Sequence, residues 1–197
     1  AQVAVDSTCA TPLLTQPLAL GADIVMHSAT KYLNGHSDVI AGALIGANED
    51  ELWQRIRTVR AQNGAVPSPH DAAQLLRGMR TMHLRVREAC QTAQFIAEQL
   101  DQHPAVSEVL YPGLPSFAGH AIAKQQMIGG FGGMLSVRLK GGAEAAIHVA
   151  AQTKLWKRAT SLGGVESLIE HRASVEGEGT PCPDDLLRLS CGIENKQ

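Results

Sequence analysis

The chain has 197 residues, 44% of them hydrophobic and 18% charged, with a formal net charge of -2 at neutral pH, which is enough chain for a sizeable core in one large domain or two small ones. Such a near-neutral balance gives no electrostatic basis for binding nucleic acid or an anionic membrane; no apolar run approaches the roughly 20 residues of a membrane span, and the N-terminus lacks the basic and apolar segments of a signal peptide. A cytoplasmic protein acting on a small polar molecule is the expectation, with Cys9, Cys90, Cys182 and Cys191 reduced and mostly buried, since their spacing suits neither zinc nor redox work.

In chain order, residues 2–5 read as a short apolar strand that already looks like the middle of a buried element, so the chain is expected to continue before Ala1. A loop follows, then a brief helix at 17–21 ended by Gly21. Strands are expected at about 23–27 and within the glycine-containing apolar run 39–46. Apolar runs of this kind, buried on both faces and separated by a helical piece, predict an α/β sheet with parallel members. The acidic run Asn48-Glu-Asp-Glu51 opens a helix to about Gln62. After the break at Pro67-Ser-Pro69, helical patterns resume over 71–79 and 84–100. Beyond them the pattern is α+β: strands at 106–111, 134–139, 155–159 and 186–193, with helices at 120–127 and 143–151. That shift predicts a second domain, 81–197, joined to 1–80 by the long helix.

The stretch from Asp23 to Gly42 carries the chemistry. Lys31 follows an apolar strand and is flanked by Ser28, Thr30 and Gly35. An amine at the end of a buried strand is costly to keep charged, which favours its neutral, nucleophilic form, and the hydroxyls are donors suited to an anionic group such as a phosphate. A solvated loop lysine remains the alternative on spacing alone. Asp6 reads either as a strand-end residue capping a turn or as a site carboxylate. Arg188, within a strand, suits either a carboxylate ligand or a pairing with a core acid. The cluster Gly129-Gly-Phe-Gly-Gly133 reads as a loop entering a strand, since no helix and lysine follow it.

Four separate segments resemble one family in order. Val5-Asp6-Ser7-Thr8, with His27-Ser28-Ala29-Thr30-Lys31-Tyr32 and Gly35-His36-Ser37-Asp38, is similar to the pyridoxal-phosphate enzymes of cysteine and methionine metabolism, the group of cystathionine γ-synthase, cystathionine γ-lyase and methionine γ-lyase. Pro67-Ser-Pro69 through Thr81 resembles the family's domain junction, and Phe131-Gly-Gly-Met-Leu-Ser136 a strand of its C-terminal domain. Ser161-Leu-Gly-Gly-Val-Glu-Ser-Leu168 and Leu187-Arg188-Leu-Ser-Cys-Gly-Ile-Glu194 resemble its substrate-binding segments. The resemblance implies the fold-type-I architecture: the C-terminal part of the large parallel-sheet, cofactor-binding domain over 1–80, and a smaller α+β C-terminal domain over 81–197, cut short at its end. It implies pyridoxal 5'-phosphate as cofactor, Lys31 as its aldimine lysine, Asp6 at the pyridine nitrogen, and Ser28 and Thr30 at the phosphate. Ser161 and Arg188 would bind the substrate α-carboxylate. Neither His36 nor His171 is given a proton-transfer role, and no metal is implied.

The implied activity is carbon–sulfur lyase or trans-sulfuration chemistry on a sulfur amino acid of the cystathionine, methionine or homocysteine type, by proton abstraction at Cα, in a homotetramer built from dimers. The alternatives are γ-replacement on an O-acylhomoserine, as in a cystathionine γ-synthase, and an inactive fragment of such an enzyme. A binding module, an aminotransferase and a serine hydrolase using Ser161 and His171 are further readings; the last lacks a nucleophile elbow. Two departures bear on specificity. Thr160 stands where cystathionine-using relatives often carry an acid, and 171–183 replaces the usual Pro-x-Ser-Met-Thr-His with a polar loop at the expected substrate entrance. The family's ring-stacking tyrosine, glycine-rich phosphate loop and intersubunit arm would precede Ala1.

Overall fold

The computed structural model describes residues 1–177 and 179–195. Its N-terminal sheet has three strands in the order β1 (Ala4–Asp6), β2 (Ile24–Ser28), β3 (Gly42–Gly46). β1 and β2 are parallel, linked by a four-residue helix that the sequence did not suggest, α1 (Thr11–Leu14), and by a 3-10 turn at Pro17–Leu20. Gly21 ends that turn in the left-handed region, at φ +98.

Two expectations for this sheet need correction. β3 runs antiparallel to β2, because the connection over 29–41 holds no crossover helix, and a parallel neighbour needs one. Nor are the strands buried on both faces. β2 is buried at Val25 and His27, whereas β1 and β3 have no buried residue. Their apolar faces need a covering layer that the described residues do not supply.

Helix α2 (Glu51–Gln62) starts where Asp50 accepts a hydrogen bond from the Trp53 amide at 2.9 Å, and none of its residues is buried. α3 (Pro69–Met79) starts at Ser68, whose hydroxyl accepts from the Asp71 amide, with Pro69 in the first turn, where its missing N–H costs nothing. α4 (Met82–Asp101) is the organising helix. Met82, Val86, Ala89 and Cys90 pack with Leu14, Ala29, Tyr32 and Leu33 in one core. Ala93 and Ala97, further along the same helical stripe, enter a second.

That second core lies on a five-stranded sheet of order β4 (Val106–Leu110), β5 (Met134–Leu139), β8 (Leu186–Ser190), β7 (Leu168–His171), β6 (Lys157–Arg158). Neighbours are antiparallel except β6 and β7. α6 (Gly142–Gln152) covers it with Ala146 and Ala150; α5 (His120–Gln126) has no buried residue. Tyr111 is fully buried beside them and donates to the Gly132 carbonyl at 3.0 Å. β7 and α7 (Arg172–Glu176) are absent from the sequence-based reading. β7 was hidden because Leu168, Ile169 and Glu170 are all buried, which removes the alternation that marks a half-buried strand. α7 lies inside the segment expected to be a loop. The four cysteines are free; Cys90 and Cys191 are buried, whereas Cys9 is exposed.

Candidate functional site

The site is built where β1 and β2 end side by side. Asp6 is the last residue of β1, in register with Met26, and its Oδ1 accepts the Thr8 amide at 2.9 Å in a local turn. The Thr8 hydroxyl accepts the Ser28 amide at 2.8 Å, tying the two strand ends together. Among the described residues, Asp6 Oδ2 and the Ser28 hydroxyl make no hydrogen bond. Thr30 differs: its hydroxyl donates to the Ala41 carbonyl at 3.3 Å and accepts from the Ala41 amide at 3.0 Å, so it is committed to backbone.

Lys31 is half-buried in the tight turn after β2, with its amide on the Ser28 carbonyl and its carbonyl holding the Gly35 amide at 2.7 Å. Its Nζ donates to Ser161 Oγ at 2.8 Å. Gly163 makes that approach available: a Cβ there would stand 2.8 Å from the Tyr32 amide nitrogen. From the other side α3 and α4 hold the turn. Arg85 is 6% exposed and donates to three carbonyls, those of Tyr32 at 2.8 Å, Leu33 at 3.3 Å and Gly78 at 2.7 Å. Burial lowers its pKa from the ordinary arginine value. Nothing in the sequence pattern marked Arg85, since the carbonyls of Tyr32 and Leu33 that it holds lie 53 and 52 positions away in the chain.

Arg188, on β8, donates through Nη2 to the Ser161 carbonyl at 3.0 Å and forms an ion pair through the same nitrogen with Glu170 on β7. Ser161 is held with φ at +113, unusual for a residue with a Cβ. Lys31, Ser161 and Arg188 are thus joined in one chain of contacts, as the sequence reading brought them together. The Cys9 thiol, on the loop after β1, is pushed up by loss of hydration and by the Asp6 carboxylate, and drawn the other way by the charges of Arg188 and Lys31.

The remaining candidates lie elsewhere in the hydrogen-bond network. His36 is bound through Nδ1 to the Asn34 carbonyl, and His171 pairs with Ser174 and the Asp184 carbonyl; neither ring touches Lys31. Thr160 donates to Glu170 Oε1 at 3.4 Å. Glu170 was not named by the sequence reading, which allowed Arg188 a core acid as partner without saying which; the pairing of β7 with β8 supplies it. An apolar cavity of about 540 Å³ between α4, α6 and the five-stranded sheet contains none of these residues.

Residues 1–197 match the model of one family, described as "Cys/Met metabolism PLP-dependent enzyme". The chain belongs to that family. It is 52% identical over 200 residues to the cystathionine gamma-synthase of Mycobacterium tuberculosis, covering 99% of this chain and 51% of the relative. It is 46% identical over 203 residues to an L-methionine gamma-lyase of Fusobacterium nucleatum subsp. polymorphum, covering 98% and 51%. Among solved structures it resembles cystathionine gamma synthase of Xanthomonas oryzae pv. oryzae in complex with aminoacrylate and cysteine, with a TM-score of 0.93 and 44% identity over 100% of this chain and 52% of the other. The chain spans about half the length of the curated relatives it matches.

The residues of this Cys/Met metabolism chain fit the cofactor. Pyridoxal phosphate calls for an amine, an acid for the ring nitrogen and donors for an anion. The ends of β1 and β2 offer a half-buried lysine hydrogen-bonded to a neutral hydroxyl, a strand-end carboxylate with one oxygen uncommitted, and the unbonded Ser28 hydroxyl.

Proposed function

We propose that the complete protein containing this chain is a pyridoxal-phosphate-dependent carbon–sulfur lyase or trans-sulfuration enzyme acting on a sulfur amino acid of the cystathionine, methionine or homocysteine type. The observation that carries this reading is the contact chain from Lys31 through Ser161 to Arg188, which links an amine just beyond β2 to a guanidinium in the middle of β8. When bound, the cofactor supplies an electron sink for a carbanion at Cα. Lys31 would hold it, with Asp6 at its ring nitrogen and Ser28 and Thr30 at its phosphate; Thr30 would have to share its hydroxyl with Ala41.

The rest of the chemistry belongs to the chain's own residues. Arg188 binds the substrate α-carboxylate with its planar fork, fixing the amino acid so that its Cα proton points to the lysine. Lys31 Nζ, when free, takes that proton as general base and returns one later in the cycle. Ser161 Oγ orients the amine through the 2.8 Å contact. Residues 1–80 would form the C-terminal part of the cofactor-binding domain and 81–197 the C-terminal domain. Homo-oligomer formation, as a tetramer built from dimers, goes with this reading; Ile40 at 90% and Leu76 at 58% exposure are apolar surface available for it.

A second reading, γ-replacement on an O-acylhomoserine, is favoured by one observation: the 52% identity over 200 residues to a cystathionine gamma-synthase. Lys31→Ala in the complete protein is expected to remove both the cofactor's visible absorbance and turnover; persistence of both rejects the assignment of Lys31. Following keto acid and thiol release from cystathionine, methionine and homocysteine separates the readings. If no substrate releases either product, yet cystathionine forms from O-acylhomoserine and cysteine, the replacement reading stands and the lyase reading falls.

A further inference from the structure

Among the described residues, Glu170 is the one buried acid, 3% exposed. Isolating a carboxylate from water is costly unless cations and hydrogen bonds replace its hydration, and here two arginines do. β7 and β8 pair with Glu170 directly opposite Arg188. Glu170 Oε2 meets Arg188 Nη2, while Oε1 takes Arg172 Nη1 at 3.2 Å and the Thr160 hydroxyl at 3.4 Å. Arg172 is also bound to Glu176 at 2.6 Å, which anchors it on α7.

Arg188 spends a single nitrogen on these contacts. Nη2 serves both Glu170 and the Ser161 carbonyl; Nε and Nη1 have no hydrogen bond among the described residues. Each is a charge-assisted donor that a carboxylate oxygen can accept from. A lone acid beside Arg188 would weaken its pull on an anion; Arg172, shared between Glu170 and Glu176, brings the four-residue cluster to neutrality instead of a net negative charge.

We propose that Glu170 is the positioning residue of the carboxylate grip. It pins Arg188 through Nη2, leaving the Nε and Nη1 N–H groups to meet the substrate α-carboxylate. This rests on Arg188 being that grip.

The test uses the complete holoenzyme and two ligands that differ in the α-carboxylate alone, L-2-aminobutyrate and 1-aminopropane, with binding read from the change in cofactor absorbance and KM and kcat measured alongside. Glu170→Gln is expected to keep the cofactor, weaken L-2-aminobutyrate and raise KM about 10- to 100-fold, the scale of a lost interaction with a charged group, and leave 1-aminopropane unchanged. Glu170→Asp is expected to recover part of the loss. Equal weakening of both ligands, or of neither, overturns the proposal. Arg188→Ala separates the two levels. If it weakens L-2-aminobutyrate selectively while Glu170→Gln does not, the grip stands and the positioning role falls; if it shows no selectivity, both fall. Should Glu170→Gln fail to fold, Glu170→Asp carries the test alone: a smaller selective loss supports the role, and an equal loss or none overturns it.

Discussion

His27 shows how one side chain responds to where the fold puts it. It lies in the middle of β2, 4% exposed, with Nδ1 lacking a hydrogen bond. Burial lowers its pKa, only partly opposed by the Asp6 carboxylate and a hydrogen bond to the Ser7 backbone. The unfolded chain therefore accepts a proton near the ordinary histidine value of about 6.5, while the folded ring still resists it. Stability from this group is present above that pH and declines as pH falls toward the lower, folded value. Thermal melts between pH 8 and 5 should show His27→Gln losing part of the wild-type slope; identical slopes in both proteins would exclude His27 as a source. At this scale Lys31, Ser161 and Arg188 were legible from residue type and motif order. Glu170 and Arg85 were not, because an acid in an apolar strand and an arginine on a helix declare nothing until their partners are known.

Among the elements, α4 was read well because its apolar positions repeat at helical spacing, α2 because its first turn is acidic, and α3 because a helical pattern resumes after Pro67-Ser-Pro69. What the helix surface does was less visible. Arg85 projects from the first turns of α4 and ties down the lysine turn through carbonyls of Tyr32 and Leu33, together with that of Gly78 at the end of α3. Leaving buried acceptors unpaired costs about 1–3 kcal/mol each. Arg85→Met is therefore expected to lower stability by about 3 kcal/mol or more, measured by urea denaturation; a loss under about 0.5 kcal/mol would mean that water replaces the guanidinium. The antiparallel β3 was misread at this same level. Its composition resembles that of its neighbours, and direction depends on the connection before it.

Over the whole molecule, two cores share α4, and they differ in cover. The five-stranded sheet is buried along β5, β7 and β8, whereas β1 and β3 are largely exposed and α2 buries nothing. Local opening is easiest where few apolar groups are buried. Hydrogen exchange on this chain should find β5 and β8 slowest and α2 with β3 among the fastest; protection of β3 equal to that of β8 would contradict this account.

By itself the sequence determined what depends on neighbours along the chain: the apolar run leading to Lys31, the helix caps, the stripe of α4, and motifs close enough to a family pattern to imply the chemistry. Tertiary structure alone decided what depends on neighbours across it. The Lys31–Ser161 contact joins residues 130 positions apart, and Glu170 became the partner of Arg188 once β7 and β8 paired. Spacing encodes periodicity and capping, which are local; the match of one strand to another is settled by which pairing buries the most apolar surface while satisfying the charges carried inside.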